Sequence, residues 1–244
     1  MARTISFTPG EWYHCYSRGV DKRVLFMDTS EYERFQMQLY AANSIIPIQV
    51  STVTKHDEGP TLDMILAQAR NERLVDLGAY ALMPNHYHLL LRERIEGGVT
   101  SFMRRLNTGY TMYFNKRHER TGALFSGAFK ASHVDTQAYL QRLVHYIHGN
   151  PAEIIEKGWK LGRVRNEEKM SSFLREYPYS SLPEYESAEN RGGITDRSAL
   201  MEFLEEQPSI HATIRDAYDF ARDPEVDLDP IELHALSNAS KVRP

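Results

Sequence analysis

The sequence has a single cysteine, Cys15, among 244 residues. An intramolecular disulfide is therefore excluded, and so is a thiolate zinc cluster. No apolar run approaches the ~20 residues of a membrane span. The first residues, MARTISFTPGEWYH, lack the apolar stretch of a secretory signal. These absences lead us to expect a cytoplasmic protein without a membrane partner. There is no Walker motif, dinucleotide Gly-rich fingerprint, GxSxG elbow or zinc-finger spacing. There is also no large charge of one sign. The net charge of −4 argues against blanket adhesion to nucleic acid.

What is present is ordinary globular composition, with 41% hydrophobic and 25% charged residues. The length suits one large domain, or one with an appendage. Charge is graded along the chain. Residues 101–150 carry seven Lys/Arg against two Asp/Glu, and residues 201–244 carry four against ten. A basic middle of this kind fits a local anion-binding face.

Hydrophobic periodicity predicts strands at 11–18, near 45–53, at 78–83, at 86–92 and at 129–134. It predicts helices from 29 with Thr29 or Ser30 as cap, over 62–74, over 99–118 and from an Asp135 cap to Gly149. Loop chemistry marks 56–60, and Pro84-Asn85 marks a tight corner between two antiparallel strands. After Tyr185 a polar connector, 187–195, leads to a helix capped by Asp196 and another over 210–220. The mixed order predicts an α+β fold. We divide it into 1–185 and an acidic, helical extension, 186–244.

His86-Tyr87-His88 is the first candidate site. Residues two apart on a strand share a face, so both imidazoles can converge on one ion while Tyr87 points away. His-x-His is short and common, so from spacing alone two histidines on a polar strand face are the plainer reading. Tyr146 and Asn150 are the second candidate, four apart and hence neighbours on one helix face. Tyr146 also borders an apolar stripe of Tyr139, Leu143 and Ile147, so packing is the plainer reading of it. As a nucleophile its hydroxyl, with an ordinary pKa of ~10, needs a metal or a base to attack a phosphodiester. An amide oxygen at Asn150 can help hold that metal. A phosphotyrosine product would conserve the energy of the broken bond for rejoining.

Arg104, Arg105, Lys116, Arg117, Arg120 and Lys130 lie between these motifs. Tyr110, Tyr113, Phe125 and Phe129 are interleaved with them, a mixture suited to gripping single strands. A solvated charged helix with an aromatic core face is the alternative. Arg18, at the end of the first strand, can reach a phosphate. Cys15 reads as a buried packing residue, and His145 and His148 as surface residues on the far side of the last helix.

Several blocks together resemble the IS200/IS605-type single-tyrosine transposases, in particular the REP-associated ones. They are Tyr13-His-Cys-Tyr-Ser-Arg-Gly19, Ala81-Leu-Met-Pro-Asn-His-Tyr-His-Leu-Leu90, Tyr110-Thr-Met-Tyr-Phe-Asn-Lys-Arg117, His145-Tyr-Ile-His-Gly-Asn-Pro151 and Tyr179-Ser-Ser-Leu-Pro-Glu-Tyr185. The resemblance spans about residues 10–185. It implies a ferredoxin-like sandwich around a central antiparallel sheet, with His86 and His88 as the paired metal ligands. It implies Tyr146 as the catalytic tyrosine, Asn150 completing the metal site, and Mg²⁺ or Mn²⁺ as the ion. It further implies cleavage of hairpin-bearing single-stranded DNA through a 5′-phosphotyrosine, by a homodimer. A replication or conjugation nicking enzyme and a hairpin-binding repressor remain alternatives. Two departures stand out: Asn150-Pro151 is followed by Ala-Glu-Ile rather than Val-Arg-Ala, and the 54–77 stretch is long.

Overall fold

The computed structural model describes residues 5–53, 59–159, 164–186 and 193–220, the last four by backbone alone. The loop reading at 56–60 and the connector at 187–195 fall largely outside them, as does the tail beyond 220. Strand β1 (Trp12–Arg18) leads to helix α1 (Thr29–Ala42) and the short α2 (Leu62–Leu66). Strands β2 (Val75–Met83) and β3 (His86–Glu93) follow, then α3 (Gly98–Arg117), β4 (Lys130–Val134) and α4 (Gln137–Gly149). Next come α5 (Ala152–Ile155), α6 (Glu167–Glu176), α7 (Leu182–Glu186), α8 (Arg197–Met201) and α9 (Ile210–Phe220).

The four strands form one sheet in the order β2-β3-β1-β4, and every neighbouring pair is antiparallel. With α1 between β1 and β2, and α3 between β3 and β4, this is the βαββαβ topology of the ferredoxin-like sandwich. The expected α+β class and central sheet are therefore present. Alternation along the strands splits the core. Tyr13, Cys15, Tyr87, Leu89 and Leu91 pack with Phe35 and Leu39 of α1 and with Phe102, Leu106 and Tyr110 of α3. Trp12, Ala79, Ala81, Leu90 and Val134 face the other way and pack with Leu140, Leu143, Val144, Tyr146 and Ile147 of α4. Cys15 is buried in the first of these layers.

Three expectations fail locally. No strand forms at 45–53, where a 3-10 turn spans Val50–Thr52. Val50 instead buries itself against Met37, Tyr40, Ala41 and Ile65, and Pro47 would supply no ladder donor. The 62–74 helix stops at Leu66 because Leu74 and Val75 are drawn to the sheet, where both amides donate to Asn43 Oδ1 at 3.1 Å. The caps are Asp28 and Thr136, each accepting from an amide three residues on, rather than Thr29, Ser30 or Asp135.

The described part of the C-terminal segment is integral to the core. Asp196 pairs with the outer edge of β2: its Oδ2 accepts Leu77 N–H (2.9 Å), and its own N–H donates to Leu77 O (2.8 Å). Leu200 and Leu204 join the layer that contains Tyr146. Among the described residues no helix is long and apolar enough to cross a membrane.

Candidate active site

The β2–β3 hairpin turns through Pro84-Asn85, with Met83 and His86 paired across it. The turn is clamped by the chain that leaves β1. Gly19 N–H donates to Asn85 O (2.9 Å), and Leu25 N–H and Phe26 N–H donate to Pro84 O (2.7 and 3.1 Å). Gly19 is required here, because a Cβ would sit 2.2 Å from Arg23 O. This clamp fixes where β3 begins and so where the histidines stand.

His86 and His88 lie on the α4 side of the sheet, paired in register with Arg18 and Tyr16. Tyr87 points the opposite way, and its buried hydroxyl donates to Asn107 Oδ1 at 2.6 Å. Burial pushes that hydroxyl far above the ordinary tyrosine range. His86 is half-buried, with Nδ1 2.7 Å from Asn85 Oδ1. A carbonyl oxygen only accepts, so His86 donates from Nδ1, and its lone pair lies on Nε2. His88 is 1% exposed, with Nδ1 2.9 Å from His14 Nε2. The two candidate ligands meet nearly perpendicular, ring centres 5.1 Å apart.

Helix α4 lies over this pair because Leu143, Val144 and Ile147 pack on the small side chains Ala79 and Ala81 of β2 and on Leu90. Tyr146 is 1% exposed. Its ring stands edge-on to His88 at 6.0 Å and to His14 at 6.4 Å. The residue thus packs in the core layer and abuts the histidines at once. Asn150, one turn on and buried, donates from Nδ2 to Tyr146 O (3.0 Å). Its carbonyl oxygen is the end of the amide not used in that bond. No group of three or more His, Cys, Asp or Glu suited to a metal occurs among the described residues. An ion here would depend on two imidazoles and an amide.

The basic residues divide. Arg18 faces the same way as His86, and Lys130 is paired in register with Tyr16, its ammonium 5.8 Å from that ring centre. Helix α3 packs on the opposite face of the sheet, so Arg104, Arg105, Tyr110, Lys116 and Arg117 are not brought to the histidines. Tyr110 is a core residue whose hydroxyl donates to Leu25 O at 2.5 Å. Arg105 holds Ser44 O (2.5 Å), and Arg117 pairs with Asp28 (2.6 Å). Arg120 braces its own loop through Asn115 and Ala123 O. Neighbourhood in sequence does not make these side chains neighbours of the site, because α3 and α4 lie on opposite sides of the sheet.

His145 and His148 are buried, contrary to expectation. Helix α9 and the 177–185 segment cover the outer side of α4. His145 Nδ1 lies 2.6 Å from Asp216 Oδ2, and His148 Nε2 lies 2.8 Å from Ser181 Oγ. Burial lowers the pKa of both imidazoles, His148 to about 3. Sequence reasoning also passed over His14 and Tyr16 as members of the site. The i, i+2 rule applied to His86 and His88 puts His14, Tyr16 and Arg18 on one face as well.

Residues 44–150 match the family model described as Transposase IS200 like. The chain resembles the IS200-like transposases. The matched residues run through β2, β3, α3, β4 and α4 and include His86, His88, Tyr146 and Asn150; β1, with His14 and Arg18, lies before them. A solved structure described as "Structure of the REP associates tyrosine transposase bound to a REP hairpin" aligns with 86% of this chain and 99% of its own, with a TM-score of 0.49 and 14% identity. No curated protein matches the sequence.

Proposed function

We propose that this chain is a transposase that cleaves and rejoins hairpin-bearing single-stranded DNA, acting in the cytoplasm through Tyr146. The observation that carries the reading is the meeting of Tyr146 with His88 inside one chain, at 6.0 Å between ring centres. In the proposed reaction the Tyr146 oxygen attacks phosphorus and loses its proton. The bond to the 3′ oxygen breaks, and that oxygen leaves as a hydroxyl. The 5′ phosphate stays on Tyr146 as an ester, and attack by another 3′ hydroxyl reverses the step and joins strands.

The donor set fits a divalent ion of the Mg²⁺ or Mn²⁺ kind, with Mn²⁺ the better match to imidazole. His86 and His88 would hold it through Nε2 and Asn150 through its amide oxygen. Such an ion would polarise the phosphodiester. Arg18 and Lys130, on the same face, would take the phosphates beside the cut. The other sequence candidates, Arg104, Arg105, Tyr110, Lys116, Arg117 and Arg120, are left out of this cut-strand surface. A homodimer remains part of the proposal by resemblance. Each chain's own Tyr146 is already seated against its own histidines, which favours action in cis.

The near-complete burial of Tyr146 favours one second reading, a hairpin-binding protein that does not cut. Incubation with single strands from the flanks of its own gene, in Mn²⁺, Mg²⁺ or EDTA, separates the two. A metal-dependent covalent adduct, seen by denaturing gel and intact mass and absent from Tyr146→Phe, is the expected result. Tight hairpin binding without adduct or cleavage would support the second reading. Cleavage without an adduct would point to water as the nucleophile.

A further inference from the structure

The proposed chemistry leaves His14 unused, although it is buried in the site. Its Nε2 lies 2.9 Å from His88 Nδ1, and the two rings stack at 5.1 Å and 20°. Two neutral imidazoles in such a contact share one proton, with one ring donating and the other accepting. If His14 donates, His88 carries its own proton on Nε2, and that nitrogen cannot ligate. If His88 donates, its Nε2 carries the lone pair. His86 shows the second pattern, since its Nδ1 faces an oxygen that only accepts. A pair of ligands presenting the same nitrogen therefore requires His14 to accept.

We propose that His14 is the positioning residue of His88: it accepts from Nδ1–H and thereby fixes the tautomer and ring orientation that present Nε2 to the ion. The inference rests on the metal reading above. A partner on the far nitrogen of a ligating histidine is the usual way proteins set its tautomer. Here that partner comes from β1, outside the residues that match the family model. The role requires His14 to hold its own proton on Nδ1.

Two substitutions separate this role from mere packing. His14→Gln can return an acceptor oxygen near the place of Nε2, whereas His14→Phe keeps the stacked ring and removes the acceptor. We expect ¹⁵N spectra of the histidines, recorded without metal, to show His88 as the Nδ1–H tautomer in the wild type and the Gln variant. In the Phe variant that signature should be lost. Mn²⁺ affinity by calorimetry should fall roughly 10–100-fold in the Phe variant and recover most of that in Gln.

A wild-type His88 in the Nε2–H form would overturn the inference even if Mn²⁺ binds. Equal Mn²⁺ affinity in wild type and Phe would do the same, as would a folded Gln variant that loses as much as Phe. Should Phe not fold, the wild-type tautomer and the Gln variant still decide. A wild type that is Nδ1–H at His88 and binds no Mn²⁺ would remove the metal reading, and the positioning role with it.

Discussion

Tyr146 and His88 stand edge to face, their ring centres 6.0 Å apart and their planes at 82°, one on a helix and the other on the sheet strand beneath it. The contact places the proposed nucleophile against the proposed metal ligand without a second chain. Tyr146→Phe should keep this packing and change stability by no more than about 1 kcal/mol. It should abolish the covalent DNA adduct. Urea denaturation and intact mass after incubation with DNA check the two halves.

Asn150 has two jobs that can be split. Its Nδ2–H donates to Tyr146 O at the end of α4, and its oxygen is the proposed third ligand. Asn150→Ala should lose both, costing about 1 kcal/mol of stability and weakening Mn²⁺ binding. Asn150→Asp keeps the oxygen and adds charge, so it should bind Mn²⁺ at least as tightly while losing the bond to Tyr146 O. Calorimetric titration with Mn²⁺ tests both.

Arg18 and Lys130 share the histidine face, whereas Arg104 and Lys116 are exposed on a helix across the sheet. Neutralising Arg18 or Lys130 should weaken single-strand binding and reduce the salt slope by about 0.7 each. Neutralising Arg104 or Lys116 should leave the slope for a strand without a hairpin nearly unchanged. Fluorescence anisotropy over a salt series measures this. Equal losses at all four positions would contradict the proposed strand path.

Asp196 hydrogen-bonds the outer edge of β2 at Leu77, as residues 179–181 do further along the strand. Asp196→Ala would leave Leu77 N–H buried without its acceptor and remove one of the two carboxylates that Arg73 pairs with, leaving Asp76. We expect a loss of about 2 kcal/mol, or roughly 4–8 °C in Tm for a chain of this size. Asp196→Asn retains the acceptor oxygen and should cost less than half as much.

Two buried groups behind α4 should act on stability with opposite sign. Burial pushes the Glu184 carboxyl up to about 7 and the His148 imidazole down to about 3, from ordinary values of 4.5 and 6.5. Between pH 4.5 and 6.5 the folded chain holds a proton on Glu184 that the unfolded chain has lost. In the same window the unfolded chain holds one on His148 that the folded chain lacks. The slopes, each about 1.4 kcal/mol per pH unit, oppose one another. Below 4.5 His148 alone remains, and stability falls towards pH 3. His145, also pulled down by burial, works in the same sense as His148 as pH falls below 6.5.

Single variants should unmask each group. His148→Gln should gain stability relative to the wild type as pH drops from 6.5 to 4.5, because His145 is then the only one of the two imidazoles still opposing Glu184. Glu184→Gln should lose stability steadily below pH 6.5. Urea midpoints across pH in EDTA test both signs.

Much of this protein follows from local rules that need no tertiary information. Alternation in Trp12–Arg18 and His86–Arg92, the Pro84-Asn85 corner and the period of α3 and α4 are properties of single segments. They suffice for the α+β class, for His86 and His88 on one face with Tyr87 on the other, and for Tyr146 and Asn150 one turn apart. What the segments cannot encode singly is which side of the sheet each helix covers. That choice puts Tyr146 over His88, sends the α3 cations to the far side, and buries Tyr110 in the core. It also puts His145 and His148 inside, because α9 and the 177–185 segment close over a helix face that looks solvent-facing in isolation. His14 becomes a partner of His88 only when β1 pairs with β3. The reason is physical: side-chain direction within a strand or helix is set by backbone geometry a few residues long, whereas layer assignment is set by burial of whole apolar faces against distant parts of the chain.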